Sequence, residues 1–79
     1  MIKIKVLGSG CANCKRLEAI VRKVIENQSI DALIEKVTDF GEITKYPILA
    51  TPALVINEKV VSSGRIPAAT EIENWLKAD

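Results

Sequence analysis

Two cysteines, Cys11 and Cys14, are the only ones in this chain of 79 residues, and they stand between an alternating strand and a long amphipathic helix. Ile2, Ile4 and Val6 face one way and Lys3 and Lys5 the other, so residues 2–7 read as a first strand, β1. Gly8-Ser9-Gly10 ends it as a flexible turn. From Cys11 or Ala12 to about Gln28, Cys14, Leu17, Ile20, Val21, Val24 and Ile25 recur at helical spacing, with Lys15, Arg16, Glu18, Arg22, Lys23 and Glu26 between them; this is helix α1. Glu18 and Arg22 form an i,i+4 pair in the favourable orientation. A Cys-x-x-Cys in the first helical turn puts one thiol where unpaired backbone N–H groups and the positive dipole end favour thiolate, and keeps the other within disulfide reach. The loop between them is too short to restrain much of the unfolded chain, so the pair is chemical rather than structural.

Ala32–Val37 reads as a second strand, β2, which with β1 and α1 makes a βαβ unit with a right-handed crossover and parallel pairing. Asp39 offers an N-cap, Glu42 follows three residues later as a capping-box partner, and a short helix α2 is expected from Phe40 to about Lys45, stopped by Pro47. Ala53–Ile56 (β3), the turn Asn57-Glu58 and Lys59–Ser63 (β4) form a β-hairpin that Gly64 ends. Pro67 suits the first position of a last helix, α3, whose apolar face is Ala68, Ile72, Trp75 and Leu76. At that spacing Trp75 is a core residue rather than a docking aromatic, and Tyr46 packs with its hydroxyl near solvent.

Seventy-nine residues make one domain, residues 1–79, with a small core. Hydrophobic residues are 48% of the chain but there is one Phe, one Tyr and one Trp, so aliphatic side chains carry the packing. A formal net charge of +1 makes no field that argues for nucleic acid or an anionic membrane. No apolar run is long enough for a signal-peptide core or a membrane span, and a soluble cytoplasmic protein is expected. Without histidine, Ser-His-Asp and Cys-His catalysis are excluded. Gly8-Ser9-Gly10 lacks the spacing and lysine of a phosphate loop.

The order β1-α1-β2-α2-β3-β4-α3, with Cys-x-x-Cys after β1 and Thr51-Pro52 immediately before β3, resembles the thioredoxin-like superfamily along essentially the whole chain. The segment from Tyr46 to Asn57, followed by Val60, Val61 and Gly64, is similar to the hairpin that carries the cis-proline of that family. The chain looks like its minimal members, the small archaeal and bacterial redox-active disulfide proteins also called glutaredoxin-like. The resemblance implies an α/β fold with a four-stranded mixed sheet flanked by helices, a cis-proline at Pro52, and a Thr51 backbone beside Cys11 that an extended substrate pairs with in strand fashion. The chain departs from the pattern in three places. Ala12-Asn13 stands between the cysteines, Lys5 occupies the position of the buried proton-transfer aspartate, and Ser62-Ser63-Gly64-Arg65-Ile66 replaces the Gly-Gly and acidic pair with which glutaredoxins hold glutathione. Lys5 therefore either points to solvent or leaves that proton to water.

At the residue level Cys11 is the expected nucleophile, its thiolate favoured by the helix start and by Lys15 and Arg16 one turn away. Cys14, one turn further in on the apolar side, is the expected resolving thiol. The function read from these residues is thiol–disulfide oxidoreduction, with catalytic residues Cys11 and Cys14, substrate-binding residues Thr51 and Pro52, and no cofactor or metal. The partners expected are protein or small-thiol disulfides and a thiol reductase system, with no nucleic acid and no membrane, and the chain is expected to be a monomer. Leu49 and Ala50, in a loop beside the dithiol, are a candidate partner-contact patch. The rival reading is a soft-metal module of the copper(I) type using the same two thiolates, although such domains run βαββαβ and end on a strand.

Overall fold

The structure is a computed structural model, and it describes residues 1–48 and 50–78. The elements are β1 (Ile2–Leu7), α1 (Ala12–Gln28), β2 (Ala32–Val37), α2 (Phe40–Ile43), β3 (Ala53–Ile56), β4 (Lys59–Ser63) and α3 (Ala69–Ala78). The strands form one mixed sheet in the order β2-β1-β3-β4, with β1 parallel to β2 and antiparallel to β3, and β3 antiparallel to β4. The expected fold class is the one observed.

Strand alternation divides the core between the two faces of the sheet. On one face Ile4, Val6, Leu54 and Ile56 pack against Leu17, Val21 and Val24 of α1 and Ile72 and Leu76 of α3, with Trp75 against the same cluster. On the other face Leu7, Ala53 and Val55 pack against Ile43 of α2, joined by Tyr46 and Ile48. All four residues of β3 are buried, as befits a central strand covered on both sides.

Local chemistry sets the ends of the elements. Ser29 lies in the left-handed region (φ 52°) and closes α1, with the Ile30 N–H donating to the Ile25 carbonyl at 3.0 Å. Asn57 and Glu58 both take positive φ, the conformation a two-residue hairpin turn requires. Asn57 also ties the turn to β1, since its side-chain oxygen accepts the Lys3 N–H at 3.0 Å.

Two helices differ from expectation. Helix α2 ends at Ile43 rather than near Lys45, because the Lys45 N–H turns back to the Glu42 carbonyl, three residues away, at 3.2 Å. Asp39 caps it by accepting the Gly41 N–H, while Glu42 accepts from Lys45 Nζ instead of closing a capping box. One half of such a box, the glutamate reaching back, occurs at α3. Glu71 reaches back to accept the Ala68 N–H at 2.9 Å, so Ala68 is the exposed cap, the helix begins at Ala69, and Pro67 is buried ahead of it.

Candidate active site

The sheet register assembles the site. Leu7 pairs with Ala53 across the antiparallel β1–β3 ladder, so the chain leaving β1 into Gly8 runs beside the chain entering β3 from Thr51 and Pro52. The Thr51–Pro52 peptide bond is cis, Pro52 is buried, and its carbonyl accepts the Gly64 N–H at 2.9 Å. Thr51 is exposed at the same edge.

The two cysteines lie at bonding distance from each other, with their Cα atoms 5.0 Å apart. Cys11 is exposed and occupies the N-cap of α1, where its sulfur accepts the Cys14 N–H at 3.1 Å. The first turn of α1 contains no acidic residue, and Lys15 and Arg16 lie exposed just behind it. A negative charge on Cys11 Sγ thus meets a donated N–H, the positive end of a 17-residue helix and two nearby cations. Cys14 is only 6% exposed. Helix geometry sets up this inequality: Cys11 is outside the first turn, and Cys14 is on the stripe that continues through Leu17 and Val21 into the core.

Gly8 joins the two halves of the site. It is buried, and a Cβ built on it overlaps Cys14 Sγ, lies 3.2 Å from Cys14 Cβ and lies 3.9 Å from Thr51 Cβ. The bare backbone is what lets the Cys14 sulfur and Thr51 approach the same point. As a sequence, Gly8-Ser9-Gly10 reads only as a flexible turn, and nothing local distinguishes a glycine that bends from one that makes room for a side chain far along the fold.

Lys5 stands on the face of β1 opposite Val6. Its ammonium donates to the Tyr46 hydroxyl at 2.8 Å and to Glu58 at 2.9 Å, and these two partners, Tyr46 first, raise its pKa well above the ordinary lysine range. It is therefore a strap between β1, the segment after α2 and the hairpin turn, and it does not face Cys14. Glu18, with Lys36 of β2, lines a cleft of about 70 Å³ that also reaches Cys14.

Beyond Thr51, a shallow groove continues past Ala50, Ile48 and Ile43 to Phe40, whose ring is exposed. Of the expected Leu49–Ala50 patch, Ala50 is exposed and Leu49 lies outside the described residues. Among the described residues no three His, Cys, Asp or Glu side chains gather into a metal-binding group. No described helix is long and apolar enough to cross a membrane.

The family model for the thioredoxin domain matches residues 2–77. The chain belongs to the thioredoxin domain family. A thioredoxin of Methanocaldococcus jannaschii is 37% identical over 78 residues, which span 99% of this chain and 90% of the relative. A thioredoxin of Methanothermobacter thermautotrophicus is 34% identical over 76 residues, 96% of this chain and 99% of the relative. The fold is also that of the crystal structure of Deadhead, a germline-specific thioredoxin of Drosophila melanogaster, with a TM-score of 0.67 at 19% identity, covering 98% of this chain and 79% of that one. Family membership and a Cys11–Cys14 pair at disulfide distance together show thiol–disulfide oxidoreduction as the function of this thioredoxin-like chain.

Proposed function

We propose that Cys11 is the attacking sulfur, Cys14 the resolving one, and the Thr51–Pro52 edge the place where the substrate backbone lies. The observation that carries this reading is the contrast between the two sulfurs. Cys11 is exposed at the helix start and accepts an N–H, whereas Cys14 is almost fully buried. The Cys11 thiolate attacks one sulfur of a partner disulfide, forming a mixed disulfide and expelling the other partner sulfur as thiolate. Cys14 then loses its proton, attacks Cys11 Sγ, closes the Cys11–Cys14 bond and releases the second partner sulfur as thiolate. The partner disulfide gains two electrons, the Cys11–Cys14 dithiol loses them, and the expelled thiolates take up protons from solvent.

Residues 1–79 act in this reading as one domain, a monomeric cytoplasmic electron carrier without a bound cofactor. Its partners are protein or small-thiol disulfides on one side and a thiol reductase system on the other. The geometry supports an extended partner segment at Thr51, which is exposed, adjoins the dithiol across Gly8 and opens onto the groove toward Phe40.

The test is a redox titration of the protein in defined glutathione and dithiothreitol buffers, with metal analysis of anaerobically purified protein alongside. A reversible two-electron transition that vanishes when either cysteine is replaced by serine is expected. A stoichiometric tightly held metal with no reversible disulfide would assign the dithiol to metal handling instead.

A further inference from the structure

Beside Cys14 the narrow cleft is lined by charged side chains from two elements, Lys15 and Glu18 of α1 and Lys36 of β2, together with the neutral Thr38. It is too small for a substrate chain and large enough for one or two waters. Glu18 stands one helical turn beyond Cys14 on α1, and the two side chains line this same cleft. The Glu18 side chain is 14% exposed, and both of its oxygens are engaged: Lys36 Nζ at 3.3 Å on one, Arg22 Nη2 at 2.8 Å on the other. The Arg22 hydrogen bond, ahead of that of Lys36, lowers the pKa of Glu18 below the ordinary carboxylate value, so it is ionised throughout the range in which a thiol titrates.

Resting on the reading that Cys14 is the resolving sulfur, we propose that Glu18, clamped by Lys36 and Arg22 at the rim of this cleft, is a positioning residue whose negative charge keeps Cys14 a protonated thiol until Cys11 is engaged. Two sulfurs at bonding distance are both potential nucleophiles, and an ordered exchange requires their pKa values to be held apart. The helix start lowers one. Glu18 raises the other, and by occupying Lys36, which lines the same cleft, it also keeps that cation from stabilising a thiolate at Cys14.

The test uses the full chain in a Cys11→Ser background, where Cys14 is the one titrating thiol. Its pKa is read from the ultraviolet absorbance of the thiolate, and its reactivity from alkylation rates across pH. Glu18→Gln is expected to lower the Cys14 pKa by about one pH unit and to speed alkylation at neutral pH severalfold. Lys36→Met is expected to shift the pKa the opposite way, and Glu18→Asp to keep it near the parent value. Opposite signs from a carboxylate and an ammonium mark a charge effect, because general loosening of the helix would move both variants alike. An unchanged or raised pKa in Glu18→Gln, or shifts of the same sign in both variants, would overturn the proposal. The unsubstituted protein is cycled in glutathione buffer in parallel. Failure to form a reversible disulfide there sinks the redox reading itself, whereas normal cycling with an unmoved Cys14 pKa sinks this inference alone.

Discussion

Gly8 leaves the space that the Cys14 sulfur fills: a Cβ at that position overlaps Cys14 Sγ and comes within 3.9 Å of Thr51 Cβ. The contact links the end of β1 to the first turn of α1 and to the loop entering β3, so one absent methyl group shapes three parts of the site. Gly8→Ala is expected to push Cys14 out of its seat, costing about 1–3 kcal/mol of stability as overpacked sites do. It should also slow closure of the Cys11–Cys14 bond. Thermal unfolding and the rate of disulfide formation after mixing with oxidised glutathione check both effects.

Lys5 lies in the sheet two residues before the end of β1, yet its ammonium belongs to Tyr46 and Glu58 on the face away from the Cys14 cleft. Lys5→Met is therefore expected to lower the thermal midpoint by freeing Tyr46 and the hairpin turn. The reduction potential and the alkylation rate of Cys11 should stay at the values of the unsubstituted protein. A marked change in either redox property would mean that the strap acts on the dithiol after all.

Acid is expected to weaken the fold through three glutamates. Glu18, Glu58 and Glu71 are each held below the ordinary carboxylate value of 4.5, by Arg22, Lys5 and Arg65 respectively as the largest cause. A carboxylate whose pKa is depressed on folding adds stability above its unfolded pKa, and that contribution disappears as pH falls through the depressed folded value. The thermal midpoint should hold between about pH 7 and 5 and decline below about pH 4.5, with a shallower decline in high salt because the Glu58 and Glu71 pairs are open to solvent. Calorimetry across that range at two salt concentrations measures it. A midpoint that rises on acidification would contradict the assignment.

Much of this was legible from residue order. Alternation in Ile2–Val6, the apolar stripe from Cys14 to Ile25, and the tight turn at Asn57-Glu58 each determine a local conformation, and local conformation is what a sequence displays. Thr51-Pro52 before an apolar strand pointed to the second half of the site through resemblance alone. Gly8 and Glu18 were harder. The use of Gly8 depends on which side chain arrives from α1, and the Glu18–Lys36 pair joins a helix to a strand, whereas the sequence shows only the i,i+4 partner Arg22. The start of α3 moved for a similar reason, since Glu71 turning back to Ala68 outweighs the preference of Pro67 for a first helical position.

The unequal roles of the two sulfurs are tested most directly by trapping. Cys14→Ser and Cys11→Ser proteins are each mixed at neutral pH with a small aromatic disulfide, and the adducts are followed by mass spectrometry. Cys14→Ser is expected to accumulate a stable mixed disulfide on Cys11 rapidly, and Cys11→Ser to react far more slowly. Equal rates, or faster capture on Cys14, would contradict the account.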